Sequence, residues 1–211
     1  METDMTRVGI IDYGMGNLTS VRNAFAAIGA AVEVLQQPDD IAAVSHLVLP
    51  GVGAFGDGMK NLSERGWIPA MEQFALVQKK PFLGICLGQQ LLARRGTEHG
   101  DFAGLGWIPG EVVRFAGLDP SLRVPHIGWN DAVPVHRNSM YREGFDQPGV
   151  FYFVHSYHLV PDDASVVDGW CDYGIRFAAS ISLGNIWAVQ YHPEKSQKAG
   201  LQILRNFIAA R

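Results

Sequence analysis

A chain of 211 residues that sets 17 Lys+Arg against 21 Asp+Glu, a formal net charge of −4, lacks the concentrated positive charge of a protein that grips phosphate backbones. Its 47 % hydrophobic content excludes disorder and supports a full core without staples; its two cysteines, Cys86 and Cys171, exclude a disulfide scaffold and favour a reducing, cytoplasmic setting. No segment reaches the ~18 consecutive apolar residues of a membrane span, and residues 1–7, with Glu2 and Asp4, do not open a signal peptide.

Short apolar runs alternate with helical periodicity through the first half. Residues 8–11 read as a strand and 12–16 as a loop. The helix that follows carries Leu18, Val21, Phe25 and Ile28 on one face until Gly29 stops it. Residues 31–35, 46–49 and 82–85 are further strands, and this alternation implies parallel strands with crossover helices on both faces. The second half changes character. Residues 111–115, 127–133, 150–157, 166–171, 176–181 and 185–190 read as strands with little helix between them, and 182–185 as a hairpin turn. A last helix over 196–210 points Leu201, Leu204, Phe207 and Ile208 inward. No linker, repeat or low-complexity tract divides the halves. The predicted class is α/β, a doubly wound, mostly parallel sheet with an antiparallel extension, in one domain spanning 1–211.

The strongest chemical signal is Phe82-Leu83-Gly84-Ile85-Cys86-Leu87-Gly88-Gln89-Gln90-Leu91-Leu92, an apolar strand, then G-x-C-x-G, then helical sequence. A nucleophile on a tight strand-to-helix turn sits in strained backbone, and small residues two before and two after give the chain room to pass. The turn puts Cys86 at a helix N-terminus, which favours a thiolate, and the Leu87 N–H points where an oxyanion would form. Such a cysteine needs a base. Of seven histidines (His46, His99, His126, His136, His155, His158, His192), His192 has the supporting context, because Pro193 keeps it extended and Glu194 follows two residues on. Cys86, His192 and Glu194 would form a nucleophile, base and orienter.

Other patterns are weaker. His155 and His158, three apart in a predicted strand, should face opposite ways and chelate poorly, and there is no C-x-x-C or H-E-x-x-H, so no metal is assigned. Gly51-Val52-Gly53-Ala54-Phe55-Gly56 satisfies G-x-G-x-x-G and could cradle a pyrophosphate as a nucleotide-binding module. Pro50 and the lack of a suitable acidic residue about twenty positions on argue against that. The same loop could complete an oxyanion hole opposite Leu87.

Together these pieces resemble the class I (triad-type) glutamine amidotransferases, and more narrowly the glutaminase subunits that feed a cyclase of histidine biosynthesis. The matching stretches are Ile11-Asp12-Tyr13-Gly14-Met15-Gly16-Asn17-Leu18, Leu49-Pro50-Gly51-Val52-Gly53-Ala54-Phe55, the elbow around Cys86, Pro125-His126-Ile127-Gly128-Trp129-Asn130, Phe151-Tyr152-Phe153-Val154-His155-Ser156-Tyr157 and Gln190-Tyr191-His192-Pro193-Glu194-Lys195-Ser196. They span nearly the whole chain. Gln89 stands where the family usually has methionine, and His158 lies where it varies. The resemblance implies a flavodoxin-like fold, catalysis by Cys86, His192 and Glu194, an oxyanion pocket lined by Gly51, Val52, Gly53 and Leu87, and L-glutamine held by Gln90 and the backbone of His155, Ser156 and Tyr157. It implies no cofactor. It also implies a heterodimer with a (β/α)8 cyclase subunit that receives the ammonia. A subunit serving another acceptor, such as a surface sugar, and a stand-alone cysteine γ-glutamyl hydrolase remain as alternatives.

Overall fold

The computed structural model describes residues 6–135 and 140–210; residues 1–5 and His136 lie outside these. The first half keeps the alternating plan. β1 (Arg7–Ile11) leads through a loop into α1 (Leu18–Ala27), whose first turn is closed by Asn17 Oδ1 accepting from the Ser20 N–H at 3.3 Å. Val21, Ala24 and Phe25 face inward, and Gly29 at φ +80° ends the helix. β2 (Ala31–Leu35) and β3 (His46–Gly51) follow, then α2 (Phe55–Glu64), α3 (Trp67–Glu72), β4 (Phe82–Cys86) and α4 (Leu87–Leu91). The strand-rich half holds β5 (Ala93–Gly96), β6 (Phe102–Ala103), β7 (Ile108–Arg114), β8 (His126–Pro134), β9 (Gly149–His155), β10 (Tyr157–Pro161), β11 (Val167–Asp172), β12 (Arg176–Leu183) and β13 (Ile186–Val189), and α5 (Gln197–Ile208) closes the chain.

Among the described residues nine strands form one sheet in the order β2-β1-β3-β4-β13-β12-β11-β8-β9. From β2 to β13 every pairing is parallel, giving the flavodoxin-type order, and from β13 to β9 every pairing is antiparallel. The parallel half with an antiparallel extension is thus as predicted. Its register sets Gly51 beside Cys86 and Val189 beside Ile85, so β3, β4 and β13 end at one rim of the sheet. Each face buries its own core. Phe55, Leu62, Trp67 and Phe74 pack on one side with Leu87 and Leu91, while Phe25, Ile203, Leu204 and Phe207 pack on the other.

Some details differ from expectation. The predicted strand 150–157 divides at Ser156. β9 stays in the large sheet, whereas Tyr157 opens β10, which pairs with β7 in a separate four-stranded sheet ordered β10-β7-β5-β6. The Phe115 N–H donates to the Ser156 carbonyl at 3.0 Å, so a distant strand fixes the break. In α5 the buried stripe is Ile203, Leu204 and Phe207, with Leu201 and Ile208 only half-buried; the helix is turned slightly from the predicted face. The helix after Cys86 is a single short element, too few aligned peptides for a sizeable macrodipole. The hairpin turn between β12 and β13 is present, with Gly184 at φ +60°.

Candidate active site

Cys86 ends β4 with φ 56° and ψ −107°, backbone that an L-residue adopts only when its surroundings force it. The flanking glycines explain how it is forced. A Cβ on Gly84 would lie 2.7 Å from the Gly88 carbonyl oxygen, and one on Gly88 would collide with the Leu49 carbonyl oxygen of the neighbouring strand. The strand, turn and helix can approach this closely only because both positions lack side chains.

The thiol lies in the wall of a cavity of about 460 Å³, also lined by Val52, Gly53, Leu87, Gln90, His155, Ser156, Tyr157 and His192. Nine of the predicted site residues therefore meet in one place. Two do not line it. Gly51 is buried on the strand beside Cys86, packed against the Tyr13 hydroxyl, and Glu194 sits behind His192. Glu98 and His99, from the loop between β5 and β6, also line the cavity and were not anticipated. Glu98 Oε2 accepts from the Phe55 N–H at 2.9 Å, capping α2 from a distant loop. That contact has no local sequence signal.

His192 keeps extended backbone at φ −100° and ψ 94°, as the following proline requires. The route to Glu194 differs from the extended geometry expected, because Pro193–Lys195 form a 3-10 turn. The turn still brings the pair together, with His192 Nδ1–H donating to Glu194 Oε1 at 2.7 Å and both side chains nearly fully buried. Burial alone would lower the imidazole pKa from 6.5. The nearby Cys86 and the Glu194 carboxylate outweigh it and hold His192 up to about 10. Nε2 is buried without a partner of good hydrogen-bond geometry among the described residues. The ring is thus oriented from behind and poised to hand over a proton in front.

A second polar chain runs through the wall. Gln90 Nε2 donates to the Tyr157 carbonyl at 2.9 Å and to Gln190 Oε1 at 3.0 Å, leaving Gln90 Oε1 as its remaining acceptor. His155 Nδ1–H donates to the same carbonyl at 2.9 Å, which obliges its Nε2 to accept from His126 Nδ1–H at 3.0 Å. Both rings are buried and neutral, with burial pushing His126 down to about 4 and His155 to about 3. His155 and His158 do not face opposite ways. Because the chain breaks at Ser156, both rings pack on Phe115, at 5.1 Å and 4.7 Å.

The family model for class-I glutamine amidotransferases matches residues 9–210. The chain belongs to that family. Among curated relatives, the amidotransferase is 46 % identical over 202 residues to the imidazole glycerol phosphate synthase subunit HisH of Desulfitobacterium hafniense, covering 95 % of this chain and 92 % of that one. It is 48 % identical to the subunit of the same name in Aquifex aeolicus, covering 95 % of each chain. Solved structures share the fold at low identity. The structure of PurLQS from Thermotoga maritima matches with TM-score 0.76 at 15 % identity, over 97 % of this chain and 98 % of that one. A crystal structure of a glutamine amidotransferase matches with TM-score 0.73 at 18 % identity, over 95 % and 96 %.

Gln89 points in a different direction from Gln90. It is fully buried, and neither amide atom has a hydrogen-bond partner among the described residues. An unpaired buried amide costs about 1–3 kcal/mol, so Gln89→Met in this amidotransferase is expected to stabilise the fold by about 1 kcal/mol at unchanged glutaminase activity. Urea unfolding of the two proteins reads the difference; a destabilised methionine variant would show that the amide is satisfied.

Proposed function

We propose that this amidotransferase is the glutaminase subunit of an imidazole glycerol phosphate synthase, acting as one domain in a heterodimer with a (β/α)8 cyclase. The observation that carries the chemistry is the strained Cys86 facing a buried His192–Glu194 pair across one cavity. Cys86 Sγ attacks the side-chain amide carbon of glutamine; a C–S bond forms and the electron pair moves to oxygen. N–H groups of the 51–53 loop and of Leu87 receive that oxyanion. His192 passes a proton to the departing nitrogen, the C–N bond breaks, and ammonia leaves. Water, deprotonated by His192, then displaces the thiol from the thioester and releases glutamate. Glutamine would be held by Gln90 and the 155–157 segment, with the Glu98 carboxylate opposite its α-ammonium.

A partner surface adjoins the cavity. Pro125 and Val154 line the cavity, and the same strand pair continues outward with Ile127 paired to Val154 and Trp129 to Tyr152. Ile127 is 59 % and Trp129 48 % exposed, and Val150 and Val133 extend this apolar face. Monomeric surfaces rarely carry such a patch uncovered, and a cyclase seated there would lie over the site that releases ammonia. Among the described residues no helix is long and apolar enough to cross a membrane.

The test is co-purification with the candidate cyclase, followed by glutamate release with and without the ribotide substrate. Turnover is expected to rise about tenfold or more in the loaded complex, the scale of a coupling between two sites. High activity alone, unchanged by any cyclase, would instead identify a stand-alone γ-glutamyl hydrolase.

A further inference from the structure

Gln190 is fully buried and belongs to none of the roles assigned above. It follows β13, the parallel neighbour of β4, so the register that sets Val189 beside Ile85 brings Gln190 level with Cys86. Its Nε2 lies 3.8 Å from Cys86 Sγ, within hydrogen-bonding reach for sulfur. The direction of that contact follows from its neighbours. The Tyr157 carbonyl can only accept, so it must face Gln90 Nε2. The second hydrogen of Gln90 Nε2 must then meet an acceptor, which makes the facing atom of Gln190 its Oε1. The amide group left over is a donor, and it faces the sulfur.

We propose that Gln190 is a positioning residue for the nucleophile: its amide, locked through Gln90 by the Tyr157 carbonyl, holds a hydrogen-bond donor on Cys86 Sγ. A donor favours the thiolate over the thiol and fixes the Sγ rotamer toward the cavity. The same chain ties the residue that faces glutamine, Gln90, to the atom that attacks it. The inference rests on the glutaminase reading for its catalytic consequence but not for its effect on the thiol.

The decisive measurement is the pH dependence of Cys86 alkylation by iodoacetamide, located by mass spectrometry, in the wild type and in Gln190→Met, which removes the donor at similar volume and without adding charge. The midpoint is expected to rise in the variant, slowing alkylation about tenfold below it, the scale of a hydrogen bond to a charged group. In the complex with its cyclase, kcat should fall by a similar factor. An unmoved alkylation profile in a folded variant overturns the proposal. A shifted profile in a protein that never hydrolyses glutamine supports the positioning role and counts against the glutaminase reading alone. Should Gln190→Met fail to fold, the side-chain amide NMR signals of Gln190 give the answer in unaltered backbone. They are expected to move with thiol ionisation in the wild type and not in Cys86→Ala, and identical titration curves in the two proteins overturn the proposal.

Discussion

Cys86→Ala is expected to reduce glutamine hydrolysis by roughly 10⁴–10⁶-fold in the complex with the cyclase, the scale seen when a nucleophile is removed from a catalytic set that acts as a unit. The other cysteine cannot take over the attack. Cys171, the second cysteine, is buried with its pKa pushed up to about 12, chiefly by desolvation, so it stays a thiol. Binding of the partner should survive, because Cys86 lies in the cavity wall and the exposed apolar face on β8 and β9 does not include it. Stability should change little. Alanine carries a Cβ as cysteine does, so it inherits the φ 56°, ψ −107° backbone and its strain. Cys86→Gly removes that Cβ and should therefore unfold at higher urea than Cys86→Ala, by about 1–2 kcal/mol of relieved strain. Glutamate release and urea titrations on the two variants check both parts. Turnover by Cys86→Ala within tenfold of the wild type would remove Cys86 from the mechanism.

The parts of this site that were legible in the sequence are those whose geometry is local. The elbow could be read because its requirement, two glycines around one strained cysteine, lies within five consecutive residues. The His192–Glu194 pair could be read because Pro193 fixes one backbone angle and is the single residue between the partners, although the 3-10 turn that brings them together was not foreseen. The first strands and α1 follow from apolar runs and a helical stripe for the same reason. What remained hidden depends on distant chain. The contact between Gln90 and Gln190 joins residues 100 apart, and nothing near either position announces the other. Glu98 caps α2 from a loop 43 residues on. The division of the predicted strand at Ser156 is decided by Phe115 and β7, whose pairing takes Tyr157 into the small sheet and turns His155 and His158 onto one aromatic surface. Period-two alternation cannot see such a change of sheet, because it reports which face a residue takes and not which strand it pairs with.

Glu194→Gln separates orientation from charge. Glutamine keeps the length and one acceptor oxygen, so His192 Nδ1–H retains a possible partner at the 2.7 Å contact, but the negative charge is gone and the amide NH2 competes to face the ring and select the wrong tautomer. kcat for glutamine is expected to fall by roughly 10²–10⁴ with KM little changed, since Glu194 lies behind His192 and does not line the cavity. The pH dependence of stability gives an independent reading. In the native protein the His192 pKa is raised to about 10 from 6.5, burial opposing the rise and the neighbouring Cys86 and Glu194 driving it. A raised folded-state pKa means that the native state holds this proton more tightly than the unfolded chain does. Its stabilisation is complete below pH 6.5 and is lost as pH climbs from there toward 10. Removing the carboxylate lowers the folded-state pKa, so the unfolding free energy of Glu194→Gln should decline less steeply over that interval than that of the wild type. Urea unfolding at a series of pH values measures both slopes, and equal slopes would mean that Glu194 does not hold the charge on His192. Equal slopes together with a large fall in kcat would assign Glu194 to steering the ring alone, whereas a flattened slope with the same fall ties catalysis to the imidazolium that this carboxylate stabilises.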